Sequence, residues 1–247
     1  MGKYSDKNAV ITGGGSGIGF ATAELLADGG ARVMITGRSE ATLDAARERL
    51  GRNALAVRGD VSSLSDLDAL AERVKGELGT VDALFVNAGI ATLTPFGSTT
   101  EETYDELFAT NVKGAYFTVQ KLAPLLGEGA GVVLTTSVAN VMGLLDSSVY
   151  AAGKAALRSM ARSFSRELLP RGIRVNAVSP GPVDTGALDR TMTAEAAERF
   201  KAERVADNPM RRFGTPEEIA RAAAFLAFDA TYTTGAEFAV DGGATQL

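Results

Sequence analysis

Tyr150 and Lys154 stand four residues apart in "YAAGK", in a chain of 247 residues that contains neither histidine nor cysteine. On a helix that spacing puts both side chains on one face. An ammonium beside a phenol favours the phenolate, so the lysine is expected to lower the tyrosine pKa towards the range where it can both give and take a proton. The pair is a proton carrier that needs no imidazole. Any Tyr-x-x-x-Lys also arises by chance on a solvated helix, and the two residues alone leave that reading open. Other chemistries are closed. Without cysteine there is no disulfide, no thiolate nucleophile and no Cys-based zinc site, and without histidine the commonest metal ligand is missing. No metal site is expected.

A second chemical feature is "TGGGSGIG", Thr12 to Gly19, after an apolar run and before the helical pattern "FATAELLADGG". Glycine lets the backbone turn tightly and approach a pyrophosphate, whose charge is favoured by the dipole and free N–H groups of a helix start. Gly13, Gly17 and Gly19 are the spaced glycines, with Gly15, Ser16 and Ile18 among them. An isolated glycine cluster can be only a turn, but the strand-turn-helix setting is the one a dinucleotide site requires. Asp60-Val61 and Asn87-Ala88-Gly89 close two further apolar runs. Each alone can be a plain turn. Their shared position at strand ends points to one crevice, because open parallel sheets bind ligands beyond the carboxyl ends of their strands.

These groups need elements to hold them. Apolar, β-rich runs occur at 8–12, 32–36, 55–59, 83–86, 132–136, 174–178 and 237–240, and helix-period segments lie between them. That alternation predicts an α/β fold: a Rossmann-type doubly wound sheet of seven parallel strands with helices on both faces. Helix starts are expected at Ser65 before Asp66 and Asp68, at Thr99 with Glu102, and at Thr215 before Pro216 and Glu218. The length suits one domain over 1–247, with 193–207 a solvated helical insertion inside a lid near 184–213. A net charge of -5 and scattered charges of both signs argue against nucleic acid or an anionic membrane surface. No signal-like or membrane-spanning apolar run occurs, so a cytoplasmic protein with a small-molecule partner is expected.

Taken together, "TGGGSGIG", "DV" at 60–61, "NAG" at 87–89, Asn111 in "FATNVKG", Ser137 in "LTTSVA", "YAAGK" and "SPGPVDT" at 179–185 resemble the short-chain dehydrogenase/reductase family over essentially the whole chain. The resemblance implies a tetrad of Asn111, Ser137, Tyr150 and Lys154. Tyr150 would exchange the substrate proton and Ser137 would hydrogen-bond the carbonyl or alcohol oxygen. Lys154 would bind the nicotinamide ribose and depress the tyrosine pKa, and Asn111 would hold a water that relays protons to Lys154. It also implies cofactor contacts from Pro180, Gly181, Val183 and Thr185. Two departures stand out: Val86-Asn87 where the family often has two asparagines, and Gly153 where it often has serine. Glycine should cost its helix up to about 1 kcal/mol relative to alanine, offset by close approach of either the cofactor or a neighbouring helix.

An NAD-preferring fold usually carries Asp or Glu roughly 20 residues beyond the first glycines. Here Thr36-Gly37-Arg38-Ser39 occupies that place. Gly37 leaves room, Arg38 offers a forked cation and Ser39 a hydroxyl, which favours NADP(H), with NAD(H) as the alternative. The chain is most similar to bacterial NADP-dependent secondary-alcohol dehydrogenases that reduce bulky ketones. An apolar cleft is implied, with Ala139, Asn140 and Leu188 as substrate contacts and Pro182, Val183, Ala187 and Met192 nearby. An uncharged ketone or secondary alcohol fits it better than a carboxylate or phosphate ester. Two rivals are a 3-oxoacyl-[acyl-carrier-protein] reductase and a non-catalytic dinucleotide sensor. Glu128 is the only charge in "LLGEGAG" at 125–131, which disfavours docking an acidic carrier. The resemblance further implies a homotetramer that pairs helices near 101–126 and 148–169.

Overall fold

A computed structural model describes residues 2–186 and 193–247. Seven strands form one sheet: β1 (Asn8–Thr12), β2 (Arg32–Gly37), β3 (Ala54–Arg58), β4 (Val81–Val86), β5 (Leu126–Thr135), β6 (Arg174–Pro180) and β7 (Glu237–Val240). Their order is β3-β2-β1-β4-β5-β6-β7 and every pair is parallel. The expected doubly wound sheet is therefore what forms. The chain order reverses between β1 and β4, and there the carboxyl ends of neighbouring strands splay to leave a crevice.

The central strands are continuous apolar runs because both faces are covered, whereas the edge strand β7 is exposed in its middle. In β1, Val10 faces one core with Leu84, Leu134 and Leu157, while Ala9 and Ile11 face the other with Phe85, Leu26 and Ile219. The first layer contains α3 (Leu64–Glu77), α4 (Glu101–Phe108), α5 (Gly114–Leu122) and α6 (Ser148–Leu168). The second contains α1 (Gly17–Asp28), α2 (Glu40–Leu50) and α8 (Pro216–Ala224). The expected insertion is helical as α7 (Ala194–Asp207), capped by Thr193, whose hydroxyl accepts from Ala196 N.

Local details differ from expectation where a hydrogen bond outweighs a pattern. The α3 cap is Ser63, whose hydroxyl accepts from Asp66 N, rather than Ser65. Thr100 rather than Thr99 caps α4 by accepting from Thr103 N. Thr215 does cap α8, in a full capping box with Glu218. β5 begins six residues before the expected 132, because Leu126 pairs with Val81 across an irregularity between Val81 and Ala83. The helix expected over 101–126 is not regular: a π-helical turn, Ala109–Lys113, joins α4 to α5, and a 3-10 turn, Ala123–Leu125, ends the segment. Ala187, Leu188 and Met192 lie outside the described residues. Among the described residues no helix is long and apolar enough to cross a membrane, and none of their acidic groups cluster as a metal site.

Candidate active site

The first turn of α6 and its successor carry Tyr150 and Lys154 at the carboxyl end of β5. Lys154 is only 5% exposed. Its Nζ donates to Thr135 O at 2.8 Å and lies 5.7 Å from the centroid of the Tyr150 ring. Burial alone lowers the Lys154 pKa to about 8. Ser137 follows β5 and caps the 3-10 turn Val138–Asn140 by accepting from Ala139 N at 3.2 Å, with its hydroxyl close to the Tyr150 phenol. The expected depression of the Tyr150 pKa is not what the surroundings produce: burial pushes the phenol up, and the nearby Ser137 hydroxyl opposes that only in part. The reason is that Lys154 reaches the ring and a carbonyl, whereas desolvation acts on the hydroxyl itself.

Asn111 sits in the π-helical turn and is 1% exposed. Its amide closes on the β4 turn: Oδ1 accepts from Ile90 N and Nδ2 donates to Ile90 O, both at 2.9 Å. One N–H and one acceptor site of that amide remain. A Cβ placed on Gly89 would lie 3.0 Å from Asn111 Oδ1 and 3.6 Å from Lys154 Nζ, so these two groups converge on one glycine. Asn111, Ser137, Tyr150 and Lys154 thus come from three chain segments to one place.

A cavity of about 260 Å³ opens beside them, at the sheet's reversal point. It is lined by Gly13, Gly15, Ser16, Gly37, Arg38, Ser39, Asp60, Val61, Ala88 and Gly89, all expected from sequence, and by Thr36, Thr42, Leu43, Gly59, Ile90 and Thr110, which were not. The glycine turn is shaped as a close-approach site. Gly13 has φ +66°, and a Cβ on Gly19 would lie 2.2 Å from Gly13 O. Unlike α2, α3 and α4, helix α1 has neither an acidic residue in its first turn nor a side-chain cap from Ser16. Its first N–H groups, those of Gly17, Ile18 and Gly19, are therefore oriented for an external anion. A dinucleotide pyrophosphate fits this arrangement.

Asn87 does not line the cavity but braces it. Its Nδ2 donates to Thr12 O and Gly13 O, and its Oδ1 accepts from Thr135 Oγ1. Asp60 fixes its own turn by accepting from both N–H and hydroxyl of Ser62. Pro180 ends β6, and Gly181 packs so closely on Asp241 that a Cβ would reach its Cα at 2.7 Å. Val183 bridges to Gly214, and Thr185 approaches the glycine turn, 3.2 Å from a Cβ built on Gly17. Asn140, expected to face substrate, instead donates through Nδ2 to Ser137 O at 2.6 Å and to Glu237 Oε1 at 2.9 Å. Only its amide oxygen remains for a ligand.

Residues 13–245 match the family described as Enoyl-(Acyl carrier protein) reductase. The chain is 42% identical to Oxidoreductase asL5 of Sarocladium schorii, covering 99% of this chain and 98% of that one. It is 37% identical to cis-4-hydroxycyclohexanecarboxylate dehydrogenase of Sinomonas cyclohexanicum, with 99% and 98% covered. A crystal structure of a short-chain dehydrogenase/reductase, SDR:Glucose/ribitol dehydrogenase from Brucella melitensis, superposes with a TM-score of 0.92 at 32% identity over 100% of this chain and 99% of that one. The chain belongs to the short-chain dehydrogenase/reductase family.

Members of the short-chain dehydrogenase/reductase family are oxidoreductases that use NAD(P)(H). The departure at Gly153 is not explained by a close approach of a neighbouring helix: a Cβ there would meet Val112 Cγ2 at 3.6 Å and Asn111 Cβ at 3.8 Å. Both are ordinary contact distances. The site also contains partners that sequence reading missed, above all Thr135, Thr136, Arg158 and Glu237. No local pattern marks them, because each acts across the sheet on a residue far along the chain.

Proposed function

We propose that the protein is an NADP(H)-dependent alcohol dehydrogenase or ketone reductase that interconverts a secondary alcohol and an uncharged ketone. The observation that carries this reading is the buried Lys154, bound to Thr135 O and lying 5.7 Å from the Tyr150 ring centroid, beside Ser137 and the glycine-rich cavity. Bound NADPH supplies the hydride. In reduction, the Tyr150 hydroxyl gives its proton to the carbonyl oxygen while the Ser137 hydroxyl donates a hydrogen bond to the same oxygen. Lys154, buried and beside the ring, holds the nicotinamide ribose and returns a proton to the phenolate after the transfer. Asn111 uses its remaining amide valences for the water that resupplies Lys154. Oxidation runs the same steps in reverse, with Tyr150 as base.

NADP(H) is preferred over NAD(H) because the end of β2 carries Gly37, Arg38 and Ser39 against the cavity. Arg58 Nε also donates to Arg38 O at 3.2 Å, bringing a second guanidinium to this rim. The substrate end is apolar. Leu93, Phe96, Val141 and Leu145 are exposed on the loops that follow β4 and β5, at the end of the sheet that carries Ser137 and Tyr150. Backbone Thr94 N donates to Asp146 O at 2.8 Å and ties those loops together. The segment 184–213 acts as the lid, and a cytoplasmic homotetramer completes the reading. Exposed Tyr104 and Tyr116 on α4 and α5, and Phe238 on the edge strand β7, support subunit pairing there.

The matched family description raises an acyl-carrier-protein substrate as the second reading. Against it, Glu128 is the only charge over 125–131. One assay separates them: oxidation of NADPH followed by absorbance with a panel of ring and aryl alkyl ketones beside a ketoacyl thioester. Turnover of the ketones, lost in Tyr150→Phe, is the expected result. Turnover of the thioester alone, or ketone turnover indifferent to Tyr150→Phe, overturns the reading.

A further inference from the structure

Behind Ser137 the hydrogen bonds lead away from the cofactor crevice to a carboxylate on the far side of the sheet. Glu237, the first residue of β7, is 101 residues from Thr136 and 97 from Asn140. Its Oε1 accepts from Thr136 Oγ1 at 2.6 Å and from Asn140 Nδ2 at 2.9 Å. Its Oε2 lies 3.4 Å from Arg158 Nε, and both side chains are only 16% exposed. Arg158 is held in turn by donating from Nη1 to Gly235 O at 2.9 Å.

The placement of these partners is what gives the carboxylate a role. Thr136 immediately precedes Ser137, and Asn140 ends the 3-10 turn that Ser137 caps. One carboxylate oxygen therefore grips the serine segment from both sides. Asn140 doubles the grip by donating to Ser137 O at 2.6 Å. Arg158 lies four residues past Lys154 and eight past Tyr150 on α6, so the other carboxylate oxygen holds the helix face that carries both. A single side chain thus ties the segment bearing Ser137 to the helix bearing Tyr150.

From this the geometry points to Glu237 as a positioning residue that sets the Ser137–Tyr150 distance and so prepares the proton transfer. The inference rests on the function proposed above for Ser137 and Tyr150. Hydrogen bonds to an ionised acceptor are shorter and stronger than neutral ones, which suits a brace. Thr136 shows what its removal would do. Its single proton has a second acceptor within reach, Val178 O at 3.0 Å, so without the carboxylate the hydroxyl turns to the β6 backbone and Asn140 loses its anchor. Arg158 is left facing an empty place. A displacement of about 1 Å in a group that orients a reacting atom can cost on the order of a hundredfold in rate.

The test uses the full-length enzyme and a ketone that it reduces. Glu237→Ala should lower kcat by about tenfold or more, while the Kd for NADPH, read from nicotinamide fluorescence, stays within about twofold. Glu237→Gln keeps an oxygen that accepts from Thr136 and Asn140 but turns an NH2 group towards Arg158 Nε, so it cuts the link to α6 alone and should recover only a small part of the loss. In a Ser137→Ala background, Glu237→Ala should cost little more, since residues acting through one another are not additive. An equal loss in both backgrounds, full activity of Glu237→Ala, or a parallel loss of NADPH affinity overturns the proposal. Should Glu237→Ala not fold, Thr136→Val removes one of the two serine-side bonds and must show a smaller fall in kcat with the same non-additivity, and unchanged kcat overturns the proposal. Indifference of the enzyme to Ser137→Ala and Tyr150→Phe defeats the functional reading itself, whereas inactive Ser137→Ala beside a fully active Glu237→Ala defeats only the brace.

Discussion

Replacing Gly37 with Asp and Arg38 with Ala should turn the cofactor preference towards NAD(H), and the structure sets the size of the change. A Cβ on Gly37 would meet only Leu43, with Cδ2 at 3.6 Å and Cγ at 3.9 Å, so aspartate fits there without moving the turn. The fold is left alone and the effect falls on recognition. Arg38 is exposed, so its charged hydrogen bond to a 2′-phosphate belongs at the low end of the range for such bonds, about 1.5 kcal/mol, or roughly tenfold in affinity. Aspartate near a phosphate that carries about two charges adds repulsion on the order of 1 kcal/mol per charge at water-like screening. The pair of substitutions should therefore move the NADPH to NADH ratio of kcat/KM by roughly three hundredfold. Ser39 softens the loss: its oxygen accepts from Thr42 N and Thr42 Oγ1, but its own proton is still available to a phosphate. The assay is kcat/KM for both cofactors with one ketone, repeated over a salt series. The NADPH value in the unmodified enzyme should fall with salt and the NADH value should not. A native enzyme that favours NADH, or an Arg38→Ala variant with unaltered NADPH affinity, refutes the reasoning.

Tyr150→Phe should reduce ketone turnover by at least about a hundredfold, with NADPH affinity kept within a few-fold, as isothermal titration and steady-state kinetics would register. Because burial pushes the Tyr150 phenol up, reduction should hold level through neutral pH and fall only in the alkaline range, while oxidation rises there; flat profiles with chemistry rate-limiting would contradict the assignment. Lys154 has a folded pKa of about 8 against an ordinary 10.5, so between these values only the unfolded chain binds the proton and this group's contribution makes stability rise with pH, by about 3 kcal/mol in all. Urea unfolding should accordingly show Lys154→Met gaining on the native protein below pH 8, with the gap closing towards pH 10.5; a constant gap rejects the buried charge. Gly153→Ala should stabilise the protein by about 0.5–1 kcal/mol, since the added methyl meets Val112 and Asn111 only at ordinary contact distance, and a lower Tm would reveal a clash instead.

What was legible in the sequence follows the range over which each interaction acts. The central strands were visible because a parallel strand buried on two faces must be a continuous apolar run, as Ala9, Val10 and Ile11 show by facing alternate cores, whereas the edge strand β7 shows the apolar run although its middle residues are exposed. The Tyr150–Lys154 pair and the glycine turn were visible because each is complete within a few residues of one element. Caps were off by one or two residues where several hydroxyls compete: Ser63 and Ser65, or Thr99 and Thr100, carry the same chemistry, and only geometry decides which oxygen meets the third N–H of the helix. The π-helical turn at Ala109–Lys113 has no apolar periodicity of its own to announce it. Yet it sets the place where Asn111 meets Ile90.

The direction of the Tyr150 pKa shows a different limit. Spacing says that a cation is near; it does not say which part of the phenol the cation faces, nor how much water the hydroxyl loses. In the folded chain Lys154 Nζ is bound to Thr135 O while lying 5.7 Å from the ring centroid, and Lys154 is buried with Tyr150 half-buried beside it. The same burial that raises the phenol lowers the ammonium, so two groups that are nearly matched as free side chains are driven apart, with the phenol the weaker acid. The phenol therefore keeps its proton through neutral pH, and after it has given that proton to a reacting oxygen, return of a proton from the ammonium to the phenolate runs downhill. The acid-base function therefore rests on the packing of β5 and α6 around the pair as much as on the pair itself. Glu237, which joins those two elements from β7, belongs to that packing although nothing in its own stretch of sequence foretells it.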